Sequence, residues 1–408
     1  MAAADMDSTT ERTGPLRGLR VIELGSLIAG PFAGKTLADF GAQVVKIEPP
    51  GTGDPLRQWR TPQGLTSVWW HVQSRGKQSV AIDLRQPQGQ ALVRRLAAEA
   101  DVVIENFRPG TLEAWGLDHA TLAQDNPGLI MLRISGYGQT GPLRDLPGFG
   151  VIAEAMGGLR HITGMPGQPP VRPAISIGDS LSALHGVIGV LLALHERVAH
   201  GGRGQVVDVA LYEAVFNMME GALPEYDRHG MVREPAGSAL PGVAPTNAYP
   251  CVDGRFVLIA GNGDSIFKRL MRLVGRADLA DDPALERNPG RVQQMDTIDR
   301  AIADWTRQRT LEQCLAQLAQ VRVPAGKVYT VPDMAADPHY LARGMVQEVA
   351  LDDGSTLKVP GVVPKLSVTP GSVQGGGPAL GQHTDAVLRA SGLPAGELAA
   401  LRASGVIA

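Results

Sequence analysis

Cysteine is nearly absent from this 408-residue chain: only Cys251 and Cys314 occur. Neither stands in a C-x-x-C pair or beside histidines at metal-ligand spacing, which argues against a disulfide scaffold and a structural zinc and for a reducing, cytoplasmic setting. An excess of one charge is also missing. Against 41 acidic residues stand 38 basic ones, a formal net charge of -3 with no block of like charges, so binding to nucleic acid or to a membrane surface has no electrostatic basis. The longest apolar run, near 187–194, falls well short of a bilayer span. The opening MAAADMDSTTERTG carries Asp5, Asp7 and Glu11 without an apolar core, unlike a secretory signal. The nine histidines are scattered and no HExxH occurs; no metal site is read.

What the chain does have is alternation of short apolar strands with helical patterns. LRVIELG (19–25), PFAGKTLADFG (31–41) and AQVVKIE (42–48) spell a strand, a helix stopped at Gly41 and a second strand, a βαβ unit. SVAIDL (79–84), a helix entered at Pro87, DVVIENF (101–107), GLIMLRISGYG (128–138) and GQVVDVALYEAVFNMMEG (204–221) continue the pattern. The expected fold is α/β: a doubly wound, largely parallel, Rossmann-like sheet, with ligands gathering at the strand C-termini. Composition turns rich in Pro, Gly and charge over 223–245, read as a linker. A smaller α+β domain follows over 246–335, opening with a hairpin at Asp253-Gly254. Residues 336–408, with a hairpin at Asp353-Gly354, are expected to return to the large domain begun by 1–222.

Three stretches carry candidate chemistry. AGPFAGKT (29–36) approaches a phosphate-binding P-loop, but Ala29 replaces its first glycine and Pro31 removes a backbone donor. Gly25, Gly30 and Gly34 still leave backbone open to a ligand such as a nucleotide-bearing cofactor. From about Ser180 to His200 a helix carries Leu181, Leu184, Ile188, Leu191 and Leu192 on one face and a small-residue stripe, Ser182, Gly186, Gly189 and Ala193, suited to close packing. At its start, ISIGDSLSALHG (175–186) sets Asp179 between a glycine and the apolar pattern. Asp179 reads as a helix N-cap, as a neighbour of a nucleophilic Ser180 in a GDSL-type hydrolase, or as a nucleophile itself, since a helix N-terminus favours an ionised carboxylate. A GDSL hydrolase also needs a DxxH element near its C-terminus, and Asp337-Pro338-His339 has the wrong spacing.

Four segments in order, LRGLRVIELGSLIAGPFAGKTLADFGAQVVKIEPPGTGD (16–54), SRGKQSVAIDL (74–84), DVVIENFRPGTLEAWG (101–116) and GDSLSALHGVIGVLLAL (178–194), resemble the class III CoA-transferases. The formyl-CoA and carnitine CoA-transferases belong to that family. IAGNGD (259–264) fits a ligand loop of the same family. The resemblance implies an interlocked homodimer, CoA thioesters and small carboxylates as substrates, no tightly bound cofactor, and Asp179 as nucleophile through an aspartyl-acyl mixed anhydride. It implies that CoA meets Leu27, Ile28 and Ala29, the phosphate-neutralising pair Arg75 and Lys77, the segment Asn106, Phe107 and Arg108, and the turn Ser135, Gly136 and Tyr137. Gly261, Asn262 and Gly263 would form a glycine-rich loop closing over the acyl group.

Ile28 stands where oxalate-linked relatives carry glutamine, and GNGD replaces a pure glycine run, which argues against oxalate. HITG (161–164), VRP (171–173) and SGYGQTGP (135–142) are closer to relatives using succinyl-CoA and small dicarboxylates. The same superfamily holds 2-methylacyl-CoA racemases, which place Gly-His-Asp where this chain has Gly148-Phe149-Gly150. Phenylalanine transfers no proton. A transferase is the leading expectation, with a racemase, a GDSL-type hydrolase and a non-catalytic CoA-binding protein as alternatives.

Overall fold

Strands β1 (Arg20–Glu23), β2 (Gln43–Glu48), β3 (Lys77–Ala81), β4 (Val102–Glu105), β5 (Ile130–Ser135) and β6 (Val206–Ala210) each carry a short apolar run. In the computed structural model, which describes residues 12–61 and 65–408, they form one sheet in the order β3-β2-β1-β4-β5-β6, every neighbouring pair parallel. The reading of the N-terminal stretch 1–11 lies outside the described residues. Successive side chains point to opposite faces. Val21, Val44, Val102, Ile130 and Leu132 pack with Leu37 of helix Ala29–Asp39 and with Val187 and Val190 of helix Ile177–His200. Ile22, Val45, Val80, Val103 and Met131 pack on the other face with helix Pro87–Ala97 and with Leu388, Leu398, Val406 and Ile407 from the end of the chain.

The chain divides into two compact units. One comprises residues up to Leu159, Pro173–Glu220 and His339–Ala408; the other comprises Arg160–Arg172 and Gly221–Pro338. The first holds the parallel sheet and the hairpin β10–β11 (Val346–Ala350, Thr356–Pro360), which turns at Asp353-Gly354. The second holds an antiparallel sheet of β7 (Thr246–Pro250), β8 (Phe256–Ala260) and β9 (Ala325–Lys327). Its core gathers Val257, Ile259, Phe267, Leu270, Ile298, Ile302 and Leu318. The stretch 223–245, expected as a linker, falls in this unit and contains most of helix Ala222–His229. Cys251 and Cys314 are buried free thiols there, with sulfurs 4.0 Å apart. Burial and the neighbouring thiol push Cys314 up to about 12, so neither composition nor environment offers a reactive cysteine.

Helix Ile177–His200 sits on the sheet through its small residues, not its leucines. A Cβ on Gly186 would meet Leu132 at 2.9 Å, and one on Gly189 would meet Val207 at 2.5 Å. The branched face turns outward: Leu184, Ile188, Leu191 and Leu192 are 41–64% exposed. The whole helix, unlike the run 187–194 alone, is long and apolar enough to cross a membrane; seated on β5 and β6, it forms a layer of the α/β unit.

Helix Ala29–Asp39 absorbs the P-loop-like segment. Lys35 pairs with Asp39 (3.2 Å) and lies over the Phe32 ring, and Gly30 and Gly34 are packed, not open to a ligand. Under this helix lies a cluster of buried charges. Lys46 reaches Glu23 (3.0 Å), Asp54 (2.9 Å) and the Gly25 carbonyl (2.7 Å). Lys77 reaches Glu23 (2.7 Å) and the Pro31 carbonyl (2.8 Å). Burial works against charge on Lys46, but Asp54, Glu23 and Glu48 outweigh it and leave its pKa raised. Lys77, penalised by burial and by Lys46, is lowered to about 8. A Cβ on Gly34 would overlap Glu23 Oε2 and lie 3.0 Å from its Cδ, and Glu23 is held from two sides. Gly34→Ala is therefore expected to cost at least about 3 kcal/mol, the scale for breaking a buried charge pair, read as a lower urea midpoint; an unchanged midpoint would contradict this packing.

Candidate active site

The order of the sheet reverses between β1 and β4, where departing loops diverge and open a crevice. There the loops after β1, β4 and β5, with Leu211 after β6, line a cavity of about 220 Å³. The β1 loop contributes Ser26, Leu27, Ile28 and Ala29, the β4 loop Asn106, Phe107, Arg108 and Pro109, and the β5 end Ser135 and Gly136. Asp179 completes the wall with Leu146, Pro147, Gly148 and Phe149. Among these lining residues Asp179 is the one carboxylate, Arg108 the one cation, and there is no histidine.

The β1 loop is held from both sides. Asn106 Oδ1 accepts the Ser26 N–H (2.8 Å) and its Nδ2 donates to the Ser26 carbonyl (2.9 Å). Gly25 and Gly30 close together beside this amide, and a Cβ on either would crowd the other's Cα at 3.1 Å. Leu27 takes φ 64°, a left-handed conformation that costs a branched residue about 1–3 kcal/mol. Its N–H donates to both oxygens of Asp54 (3.1 and 3.2 Å). Burial raises the Asp54 pKa, but Lys46 and the backbone donors outweigh it and the net direction is down. The strained turn thus rests on a fixed anion. Ile28 is the N-cap of helix Ala29–Asp39.

The β4 and β5 residues are similarly fixed. Phe107 packs edge-on against Trp115, with centroids 5.4 Å apart, and its N–H donates to Glu105 (2.7 Å). Glu105 is pushed up by burial although Arg133 bonds it at 2.7 Å. Ser135 is buried, its hydroxyl accepting the Gly138 N–H (3.0 Å).

Asp179 is half-buried and is the third residue of helix Ile177–His200; Ser176, not Asp179, is the N-cap. The helix begins earlier than its pattern suggested because Gly178 lets it close on the Gly150 carbonyl, 3.2 Å from where a Cβ would stand. An acid in the first turn suits the helix dipole. Ser180 turns its hydroxyl back to the Ser176 carbonyl (3.0 Å), and no histidine lines the cavity to activate it. The GDSL-type arrangement is not formed. Phe149, which carries no group that can transfer a proton, is 63% exposed on the cavity wall.

Arg75 and Lys77, expected against CoA phosphates, do not line this cavity. Arg75 is 1% exposed, grips Asp39 with two nitrogens (2.8 Å each) and donates to the Pro360 carbonyl; Lys77 belongs to the Glu23 cluster. Tyr137 also lies off the wall, its ring under Gly148 and 6.5 Å from that of Tyr212. Gly261, Asn262 and Gly263 belong to the other unit. There the fully buried Arg291 donates to the Asn262 carbonyl (2.8 Å) and pairs with Asp264 (2.8 Å), anchoring the loop. Sequence reasoning missed the β5-loop wall at Leu146 and Pro147; its one signal was Gly148-Phe149-Gly150, weighed only for its lack of histidine.

Comparison with known proteins matches the model of CoA-transferase family III to residues 16–384. Succinyl-CoA–D-citramalate CoA-transferase of Chloroflexus aurantiacus is 50% identical over 395 residues, 96% of this chain and 98% of that protein. Succinate–glutarate CoA-transferase of Agrobacterium fabrum is 36% identical over 392 residues, 94% and 97% respectively. Among solved structures, a CaiB/BaiF family protein from Brucella suis superposes with a TM-score of 0.81 at 35% identity, covering 93% of this chain and all of that one. With the family model spanning the parallel sheet, Asp179 and the second unit alike, the chain belongs to CoA-transferase family III.

Proposed function

We propose that this chain moves CoA from succinyl-CoA to a small dicarboxylate of the citramalate or malate class, with Asp179 as the nucleophile. The observation that carries this is the seat of Asp179: the one carboxylate lining a crevice at the strand C-termini, in a chain whose relatives are named for succinyl-CoA and citramalate, malate or glutarate. At about 220 Å³ the cavity lies below the roughly 300–1,000 Å³ typical of drug-sized ligands. It suits an acyl group and the thioester end of CoA, with the nucleotide outside.

The chemistry follows from what a carboxylate can do and balances without ATP. An Asp179 oxygen attacks the donor carbonyl, the C–S bond breaks, and CoA leaves as thiolate with the electron pair, giving a mixed anhydride. The thiolate attacks the Asp179 carbonyl carbon and the donor acid departs with the bridging oxygen. The acceptor carboxylate, ionised at neutral pH, attacks the aspartyl thioester to form a second anhydride. Thiolate attack on the acceptor carbonyl then releases the new thioester and restores Asp179. No step requires a general base, in keeping with a wall that has no histidine. Backbone N–H groups of the fixed β1 loop are suited to the oxyanions. Arg108, exposed at the rim, takes over the anion-binding part first given to Arg75 and Lys77. Racemisation needs two proton-transfer groups, and Phe149 occupies the second position.

The working form we propose is a homodimer. Leu184, Ile188, Leu191 and Leu192 leave an apolar stripe on one helix face, of the kind that marks a protein interface. Light scattering is expected to give twice the chain mass, and Ile188→Glu with Leu192→Glu to yield monomer; a wild-type monomer would contradict the assignment.

Asp179→Asn is expected to lower succinyl-CoA-dependent transfer at least about 1,000-fold, as removal of a nucleophile does, whereas Ser180→Ala leaves it within about threefold. Mixed with succinyl-CoA and hydroxylamine, the wild type is expected to yield a hydroxamate at Asp179. Transfer surviving in Asp179→Asn would remove the nucleophile assignment, and loss in Ser180→Ala alone would restore the hydrolase reading.

A further inference from the structure

The segment after β5 approaches the nucleophile through glycines, and the reasons differ from one to the next. A Cβ on Gly148 would meet backbone, the Gly136 Cα at 2.8 Å, and the Tyr137 ring at 3.2 Å. A Cβ on Gly150 would meet Asp179 alone among its three nearest atoms: it would overlap Oδ2 and lie 2.9 Å from Cγ and 3.3 Å from Oδ1. Gly150 is not among the residues with positive φ, so its backbone conformation does not call for glycine. What calls for it is the space, and the carboxylate fills that space. The other side of the contact cannot withdraw. Gly178, next to Asp179, is buried against the Gly150 carbonyl, 3.2 Å from its own missing Cβ, so the two backbones are already in contact.

From this we infer that Gly150 is a positioning residue for Asp179, a role that rests on the proposed reading of Asp179 as nucleophile. The missing side chain lets one carboxylate oxygen dock on the start of helix Gly150–Met156. The carboxyl group placed in this way lines the cavity, and one of its oxygens is the attacking atom. A methyl group at 150 expels the docked oxygen and drives the side chain toward another staggered well. The acyl carbon then has no carboxylate in line with it.

The test uses the full chain in four forms: wild type, Gly150→Ala, Asp179→Ala and the double variant, with Gly148→Ala in both backgrounds as control. Urea midpoints are read for all. Gly150→Ala is expected to lower the midpoint in the wild type and to have little effect in Asp179→Ala, where the overlap is gone. Gly148→Ala is expected to lower it equally in both, because its clash is with backbone. Should Gly150→Ala be insoluble by itself, recovery of soluble protein in the double variant is the same coupling in stronger form. In turnover, kcat of Gly150→Ala is expected to fall about 100-fold, the scale for an ångström-sized misplacement, with the donor KM within about threefold. Equal midpoint losses for Gly150→Ala in both backgrounds, or an unchanged kcat, would overturn the inference. Failure of the nucleophile reading would appear separately, as transfer persisting in Asp179→Ala.

Discussion

Between β1 and β4 the strand order reverses, so the loops that leave these two neighbours must part onto opposite faces of the sheet. That divergence is the constraint on which the site depends. It opens a crevice without removing any core residue, because the cavity wall begins where the buried strands end. It also dictates what must hold the wall. A loop at the edge of a crevice has no strand neighbour for its backbone, and here Asn106 and Asp54 take that place, one bonded to Ser26 and the other to Leu27.

The charges behind the wall are there for geometry more than for net stability. A buried carboxylate such as Asp54 is costly unless paired, and Lys46 pairs it while also bonding Glu23 and the Gly25 carbonyl. One ammonium thereby ties β1, β2 and the loop between β1 and the first helix. The consequence is a left-handed Leu27 held in place by an anion that cannot move. On the opposite side of the cavity glycines play the complementary part: Gly136, Gly148, Gly150 and Gly178 let backbones and one carboxylate approach more closely than any side chain would permit. Asp179, the proposed nucleophile, is thus set between a braced polar loop and a glycine seat, the arrangement expected where catalysis depends on positioning.

The parallel sheet was legible in the sequence because short apolar runs alternate with helical patterns; strand ends pointed to the loops as a ligand region, while the individual residues after β1, β4 and β5 were implied by the family resemblance. Burial of charge was not legible. Arg75 and Lys77 look like a solvated or anion-binding pair beside a glycine, yet their partners Asp39 and Glu23 lie 36 and 54 positions earlier. Only the fold brings them together. The packing face of helix Ile177–His200 was legible in its small-residue stripe: glycine and alanine allow the closest approach to a sheet, and Leu184, Ile188, Leu191 and Leu192 lie outside. The start of that helix shifted by three residues because Gly178, a poor helix former by propensity, is the residue that its packing on Gly150 requires.

The central claim, that Asp179 carries the acyl group, predicts a definite path for oxygen. Turnover with an acceptor labelled with ¹⁸O in its carboxylates should transfer one labelled oxygen to Asp179 in each cycle and pass it to the released donor acid in the next. Mass spectrometry of the peptide containing Asp179 is therefore expected to show the label. Label in the released acid with Asp179 remaining unlabelled would mean that donor and acceptor exchange directly, and would contradict the account.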